Sequence, residues 1–114
     1  MISAIVLAAG MSSRMGQPKP VLRIAGQPLL ERVVATVRRS RVDEIVVVLG
    51  HEADRVRREV ALDGATVVVN EAYAEGMSSS IRAGLRAVDP RAQGYVVVLG
   101  DQPFVSSSTL DALI

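Results

Sequence analysis

Four short, uniformly apolar runs constrain the fold of this chain more than any other feature of its sequence. They are rich in β-branched valine and isoleucine, and the later runs are followed by Gly or Asn. A run that is apolar at every position is typical of a strand buried on both faces of a parallel sheet. The predicted strands are residues 4–7, 45–49, 66–69 and 95–99.

The segments between these runs change to a helical period. Residues 29–37 gather their apolar side chains on one face and their charged side chains elsewhere, as a crossover helix does. Residues 52–62 and 77–88 are predicted as two further helices. Alternation of strands and helices predicts an α/β fold, a three-layer Rossmann-like arrangement with a mostly parallel sheet and helices on both faces. Ligands of such sheets bind at the carboxyl ends of the strands.

Length and composition describe one ordinary domain. A chain of 114 residues fits a single core, so residues 1–114 are predicted to be one domain. Ser107, Ser108 and Thr109 resemble a helix start, yet barely one turn follows, and we therefore expect that the natural C-terminal continuation is missing. The alternative is that a short helix ends there.

Several classes of function are disfavoured by composition. A net charge of +1 without a basic tract, and an aromatic content of 3%, argue against nucleic acid as a partner. No apolar run approaches the roughly 20 residues of a membrane span, and no basic leader precedes the first strand. A cytoplasmic location is the expectation. The chain has no cysteine, which excludes disulfides and thiolate chemistry.

The loop after the first strand, residues 7–19, combines small residues, glycines, an arginine and a lysine. Lys19 is the single lysine among 13 basic residues. Small residues let backbone N–H groups approach anionic oxygens, and Arg and Lys add charge-assisted bonds, so the loop is predicted to bind phosphate. It is neither a P-loop nor a G-x-G-x-x-G dinucleotide loop. The alternative is a surface loop with incidental basic residues.

Three segments together resemble a known family. They are the loop Leu-Ala-Ala-Gly-x-Ser-x-Arg-Met-Gly-x-x-Lys that ends at Lys19, the segment of residues 70–81 containing Gly-Met-Ser-Ser-Ser, and Leu-Gly-Asp-Gln-Pro at residues 99–103. This combination is similar to the MobA-like nucleotidyltransferase family, and within it to the MocA-like molybdenum cofactor cytidylyltransferases. The guanylyltransferase branch usually has Leu-Ala-Gly-Gly in the first segment, so Ala9 favours cytidine. The resemblance implies a fold of the nucleotide-diphospho-sugar transferase type.

The resemblance also implies roles for individual residues. Lys19 is expected near the α-phosphate and Arg14 near the β- and γ-phosphates, and these two are the predicted catalytic residues. Asp101 is the predicted ligand of Mg²⁺, with a second carboxylate expected from a later part of such proteins. The predicted nucleotide-binding residues are Leu7, Ala8, Ala9, Gly10, Ser12, Ser13, Arg14, Lys19, Asn70, Ser78 and Ser79.

Each role has a simpler alternative. Asp101 follows a buried strand, where a carboxylate suits Mg²⁺ but also suits a turn or a helix cap. Ser78 and Ser79 open a predicted helix and are explained equally well by capping alone. Asn70 is also a common residue at the end of a strand. His51, the single histidine, follows a strand end where a catalytic role is one alternative, but it is interpreted as a solvent-facing turn or helix-start residue and is left out of the site.

The activity implied is transfer of CMP from CTP to a phosphate-bearing acceptor, molybdopterin in the MocA branch, with release of pyrophosphate. Other possibilities are a guanylyltransferase, a sugar-phosphate or alditol-phosphate nucleotidyltransferase, and a nucleotide-binding module without turnover. The oligomeric state is left open.

Overall fold

The computed structural model describes residues 1–10, 13–14, 17–101 and 111. Backbone alone is described for residues 13, 14, 17 and 18. In chain order the elements are β1 (Ile2–Ala8), β2 (Ser13–Arg14), β3 (Gln17–Pro18), β4 (Arg23–Ile24), β5 (Gln27–Pro28), α1 (Leu29–Arg38), β6 (Glu44–Leu49), α2 (Ala53–Glu59), β7 (Thr66–Val69), α3 (Met77–Ala87) and β8 (Gly94–Leu99), with short 3-10 helices at Lys19–Val21 and Tyr73–Glu75.

Four of these strands form a parallel sheet in the order β7-β6-β1-β8. All four predicted strands are therefore confirmed, and so is the α/β class. The first strand, β1, lies in the middle of the sheet, where Val6 is opposite Val47 of β6 and Val98 of β8. Because all strands point the same way, their carboxyl ends meet at one edge of the sheet.

Alternate residues of the central strand enter two separate cores. Val6 faces the layer formed by α1 and α2, whereas Ile5 faces α3 on the opposite side of the sheet. Both side chains are fully buried. Helices on both faces confirm the predicted three-layer arrangement, and the expected burial on both faces is found for β1 and β6. For the edge strands β7 and β8 that expectation was wrong, because Val69, Tyr95 and Val97 are exposed there.

The second predicted helix is shorter than its sequence pattern indicates. Residues 52–62 were expected to be helical, but α2 covers Ala53–Glu59. Glu52 adopts a left-handed conformation with φ of 52°, and Val60 is extended, so the helix is closed at both ends. Beyond it, the backbone N–H of Ala61 donates to the Glu31 carboxylate of α1 at 3.2 Å, a bond that a continuing helix would not make.

The pattern analysis also missed two small antiparallel ladders, β2 with β3 and β4 with β5. They are only two residues long on each side and carry no periodic signal. The helix predicted to begin at Ser107–Thr109 lies outside the described residues. Within the described part of the chain, every helix falls short of the length and apolarity that membrane crossing requires.

Candidate functional site

A cleft of about 380 Å³ opens at the carboxyl edge of the sheet, on the side covered by α3. This is the edge at which parallel α/β sheets bind ligands, and the volume is within the range of small-molecule sites. Its lining residues are Leu7, Ala9, Gly10, Tyr73, Ala74, Gly76, Met77, Ser80, Leu99 and Asp101. Four of these, Leu7, Ala9, Gly10 and Asp101, belong to the predicted site.

Strand register brings the first and last segments of the motif together. Leu7 of β1 is paired with Leu99 of β8, and the backbone N–H of Gly100 donates to the Leu7 carbonyl at 2.8 Å. A Cβ on Gly100 would lie 2.8 Å from that same carbonyl oxygen, so a side chain there would push the strands apart. The tight contact sets Asp101 beside the start of the loop that follows β1.

Lys19 reaches the same point from the other end of that loop. It begins the 3-10 helix Lys19–Val21, which is anchored because Pro20 and Val21 are buried and the Leu22 N–H donates to the Lys19 carbonyl at 3.1 Å. The Lys19 Nζ lies 3.7 Å from the Asp101 Oδ2. Their side chains are 37% and 42% exposed, so both charges remain accessible to a ligand from solvent.

The rest of the predicted phosphate loop is described only in part. Ser13 and Arg14 lie in β2, where Arg14 is paired with Gln17 of β3, and this ladder turns the chain back so that Lys19 returns to the sheet edge. The side chains of Ser13 and Arg14, and all of Ser12, lie outside the described residues. Ala8 belongs to the sheet edge, but its side chain is buried in the core under α1 and α2. The nucleotide contacts assigned to these four residues stay predictions.

Asn70 and two serines of α3 form a buried polar cluster. The Asn70 Nδ2 donates to the Ser79 Oγ at 2.9 Å and to the Ser80 Oγ at 3.0 Å, while its Oδ1 accepts from the Ala72 N–H at 3.0 Å. Asn70 and Ser79 are each 7% exposed. The amide of Asn70 is therefore occupied in holding the segment after β7 against α3, which is a structural task that the sequence interpretation did not assign.

The serine motif is oriented differently from what was expected. Ser78 is exposed, Ser79 is buried in the cluster with Asn70, and Ser80, which was not predicted, lines the cleft. The helix N-cap is Gly76, without a side-chain capping bond, so capping by serine is not what begins α3. Contact of Asn70, Ser78 and Ser79 with a nucleotide stays a prediction.

Sequence reasoning also missed the wall of the cleft opposite Asp101. That wall contains Tyr73, whose ring packs against the His51 ring at 5.7 Å between centroids. Tyr73 falls inside the segment of residues 70–81 that carried the family resemblance, and it is one of only two tyrosines in the chain. Its rarity and its place in the motif were the available signals.

The cleft is thus polarised. Lys19 and Asp101 form a charged end beside β8, and Tyr73, which lies against Gly50 at the end of β6, forms a less polar end with Met77. Among the described residues, no group of three or more Asp, Glu, His or Cys side chains could hold a metal ion on its own. A cation at Asp101 would therefore need further oxygen ligands, and substrate phosphates are the usual source for Mg²⁺.

Known proteins resemble the whole chain. The Bifunctional protein GlmU of Burkholderia multivorans is 38% identical over 115 residues, which cover 99% of this chain and 25% of that protein. The crystal structure of Rv0371c from Mycobacterium tuberculosis is 41% identical with a TM-score of 0.88, over 98% of this chain and 57% of that one. The chain therefore spans about a quarter of the first relative and somewhat over half of the second.

Two further solved structures bear on the chemistry. Rv0371c has also been crystallised in complex with manganese, and that structure is 38% identical with a TM-score of 0.84, covering 98% of this chain and 56% of its own. The 4-diphosphocytidyl-2C-methyl-D-erythritol synthase of Anaerococcus prevotii is 28% identical with a TM-score of 0.77, covering 98% of this chain and 50% of its own.

The match to a family model covers nearly the entire chain. Residues 4–114 match the MobA-like NTP transferase domain, a range that contains most of β1, the loop to Lys19, the segment after β7 and Asp101. The elements that build the cleft are thus the elements that the family model spans. The chain belongs to the MobA-like NTP transferase family.

Proposed function

We propose that this chain carries the nucleotide-binding part of a nucleotidyltransferase that accepts a nucleoside triphosphate. The observation that carries the proposal is the approach of Lys19 to Asp101 at 3.7 Å, at the edge of the sheet where the small-residue loop begins. Lysine binds phosphate by charge-assisted hydrogen bonds and a carboxylate suits Mg²⁺, so the pair offers both groups that a metal-bound triphosphate would use. Membership of the family supports the same reaction class.

The polarity of the cleft favours one orientation of the nucleotide. The triphosphate belongs at Lys19 and Asp101 beside β8, and the nucleoside extends across the end of β1 toward Tyr73. Adjacent strands are roughly 4.8 Å apart, so crossing from the end of β8 to the end of β6 spans roughly 10 Å, enough for a ribose and a pyrimidine ring. Gly10, which lines the middle of the cleft, has open space where a Cβ would stand.

Asp101 fits the requirements of a magnesium ligand. It is exposed, it offers carboxylate oxygens, and it lies at the charged end of the cleft where phosphates would supply the remaining ligands. The manganese complex of Rv0371c supports a divalent cation in a similar protein. When bound, Mg²⁺ would neutralise charge on the triphosphate and orient it.

The residues of the chain then act by positioning and electrostatics. The acceptor phosphate attacks the α-phosphorus, a new phosphoanhydride bond forms, and pyrophosphate leaves with the electron pair of the broken bond, so no protein nucleophile takes part. Lys19 stabilises negative charge at the α-phosphate, and Arg14 with the loop amides binds the β- and γ-phosphates. Removing one preorganised donor that stabilises charge in a transition state typically lowers kcat by a factor of about 10² to 10³.

For the nucleotide and the acceptor we propose CTP and a phosphate-bearing small molecule. Ala9 supports cytidine, because the guanylyltransferase branch usually has glycine at that position. The cytidyl product named for the Anaerococcus prevotii enzyme supports the same base. Molybdopterin is the acceptor implied by the resemblance of the Gly-Met-Ser-Ser-Ser and Gly-Asp-Gln-Pro segments to the MocA-like branch. A sugar or alditol phosphate is the second candidate, and it is favoured by the erythritol in the name of that same enzyme.

Calorimetric titration tests the nucleotide assignment. The chain is titrated with CTP, GTP and ATP in the presence of Mg²⁺, and we expect selective CTP binding that Lys19→Ala removes. Arg58→Ala, which deletes an exposed positive charge on α2, is the matched control and keeps the affinity. Preference for GTP would instead indicate a guanylyltransferase, and absence of binding to any of the three would contradict the proposal.

A turnover assay separates an enzyme from a binding module and distinguishes the acceptors. Release of pyrophosphate from CTP is measured with molybdopterin cofactor, with a sugar phosphate and with an alditol phosphate, each in turn. Release with one acceptor identifies the class. Binding of CTP without release in any mixture would show that this chain binds nucleotide without turnover.

A further inference from the structure

His51 joins two parts of the cleft that are far apart in sequence. It follows β6, and its backbone N–H donates to the Ala9 carbonyl at 3.2 Å, which ties it to the start of the loop after β1. Its imidazole packs against the ring of Tyr73 at 5.7 Å between centroids, with a tilt of 60°. One residue therefore contacts both Ala9 and Tyr73, and each of these lines the cleft.

The neighbouring Gly50 lies where the Tyr73 segment meets Ala9, and the space there is narrow. A Cβ on Gly50 would lie 2.6 Å from the Tyr73 Cβ, 2.8 Å from the Ala9 carbonyl oxygen and 2.9 Å from the Ala9 Cβ. Real Cβ atoms do not approach other heavy atoms this closely. The three partner atoms, one backbone oxygen and two Cβ atoms, cannot move aside by rotation of a side chain. Glycine at this position lets the Tyr73 segment approach Ala9 closely.

Tyr73 packs against the core on the α3 side of the sheet, and the His51 ring is the aromatic partner of its own ring. It begins the 3-10 helix Tyr73–Glu75, is half-buried, and borders the open cleft. Tilted aromatic pairs with centroids between 4.5 and 7 Å are favourable beyond the area that they bury, and the His51 ring supplies such a partner. The His51 Nε2 lies 3.5 Å from the Glu52 Oε2, which restrains the imidazole in turn.

From these contacts we propose that His51 is a positioning residue that holds the Tyr73 ring as the wall against which the nucleobase packs. Gly50 permits the close approach, and the backbone bond from His51 to Ala9 keeps that wall in register with the phosphate loop. The inference rests on the proposed function, and it goes beyond it by assigning a role to the single histidine of the chain. His51 acts through Tyr73 and does not touch the reacting atoms.

The composition of the chain makes Tyr73 directly observable. The chain contains two tyrosines, Tyr73 and Tyr95, so labelling with 3-fluorotyrosine gives two ¹⁹F NMR signals, which the Tyr95→Phe variant assigns. Tyr95 is 51% exposed on β8 and lies outside the cleft lining, so its signal serves as an internal reference. We expect Mg²⁺ with CTP to shift the Tyr73 signal, and Mg²⁺ with inorganic triphosphate, which has no base, to leave it nearly unchanged.

Variants of His51 then test the positioning role. His51→Ala and His51→Gln should each weaken CTP affinity by about fivefold, because the ring contact is lost, whereas His51→Phe keeps a ring and should restore the affinity to within about twofold. The affinity for inorganic triphosphate should be the same in all three variants. A general structural defect would weaken both ligands alike.

The outcomes separate this inference from the proposed function. If CTP binds calorimetrically but leaves the Tyr73 signal unmoved, or if His51→Ala weakens triphosphate as much as CTP, the positioning role is wrong while the nucleotide site stands. If neither CTP nor triphosphate binds, the proposed function fails and the positioning role fails with it. Thermal unfolding of each variant confirms that the comparison is made between folded proteins.

Discussion

The Lys19 ammonium lies 3.7 Å from the Asp101 carboxylate, although 81 residues separate them along the chain. In the proposed reaction the Lys19 ammonium binds phosphate and the Asp101 carboxylate holds the metal. Without ligand they partly neutralise each other. A nucleotide that arrives without a metal therefore meets a lysine already engaged and a carboxylate that repels its phosphates.

Asp101→Asn should change how nucleotide binding depends on the metal. In the absence of divalent cations we expect CTP to bind the variant about fivefold more tightly than the original chain, because repulsion is removed and Lys19 is released. Charges about 4 Å apart in water interact by about 1 kcal/mol, and both side chains are substantially exposed, so a larger effect is not expected. With Mg²⁺, the variant should lose the gain that the metal gives the original chain.

The measurement is calorimetry with CTP in EDTA and in Mg²⁺. Asp54→Asn removes the same charge from an exposed position of α2 and is the control for a general electrostatic effect. An Asp101→Asn variant with the same ratio of affinities in Mg²⁺ and EDTA as the original chain would show that Asp101 does not bind the metal.

Asn70→Ala should destabilise the fold. The side chain makes three hydrogen bonds in a buried setting, to Ser79, Ser80 and the Ala72 N–H, and each is worth about 0.5–1.5 kcal/mol net. We expect the free energy of unfolding to fall by about 2–3 kcal/mol in urea denaturation. Ser78→Ala, at an exposed position of the same helix, should change it by less than about 0.5 kcal/mol. Equal stability of the two variants would mean that the cluster contributes little to folding.

Gly84→Ala should also destabilise, against the usual preference of helices for alanine. Gly84 lies in α3, and its added Cβ would stand 2.6 Å from the Ile5 Cγ2 and 3.2 Å from the Val48 Cγ2, both in buried strands. Helix propensity favours alanine by about 1 kcal/mol, whereas overpacking typically costs 1–3 kcal/mol. The expected net loss is about 1 kcal/mol, read from the thermal midpoint. Arg82→Ala, on the exposed face of α3, is the control, and a gain in stability for Gly84→Ala would show that α3 moves away from the sheet freely.

The interaction of Asp89 with Arg91 should stabilise the fold near neutral pH and lose that effect in acid. The Arg91 guanidinium donates to the Asp89 carboxylate at 2.9 and 3.1 Å and its backbone N–H donates at 2.8 Å, which lowers the pKa of Asp89 from 3.8 to about 2. A carboxyl whose pKa is lower in the folded state stabilises the fold above its unfolded pKa. That contribution is lost as the pH falls from about 4 toward 2.

Urea denaturation of the original chain and of Asp89→Asn, repeated between pH 5 and pH 2, measures this contribution. The difference in midpoint between the two proteins should be largest at pH 5 and should shrink as the pH approaches 2. Arg91→Ala removes the guanidinium and should reproduce the pH dependence of Asp89→Asn in part, since the backbone bond remains. A difference that is constant over this range would contradict the assigned cause.

Much of the fold was predictable because its signals are local. The strands at residues 45–49 and 66–69 are short runs dominated by β-branched residues, which favour strands, and the stripe that includes Leu30 and Val37 repeats at the helical period. The end of α2 was not predictable in the same way. The apolar Val60 continues its stripe, but the helix stops because the following backbone bonds to Glu31, a residue of another helix.

The candidate site was likewise predictable only in part. Candidate residues of the motifs could be named in advance, since phosphate chemistry restricts which residue types serve it. Which serine faces the cleft could not be named. Neighbouring helix positions are rotated by about 100°, so the docking of α3 on the sheet decides that Ser80 points inward and Ser78 outward.

The sequence by itself determined the order of strands and helices along the chain, the two apolar faces of β1 and the segment that is predicted to bind phosphate. Each of these follows from the period or the chemistry of neighbouring residues. Only the tertiary structure decided that Tyr73 packs on His51, that Asn70 is occupied within the core, and that the Lys19 and Asp101 charges meet. Those contacts join residues of different elements, and their distances are set by how the strands pair and how the helices and loops pack on the sheet, which no local pattern encodes.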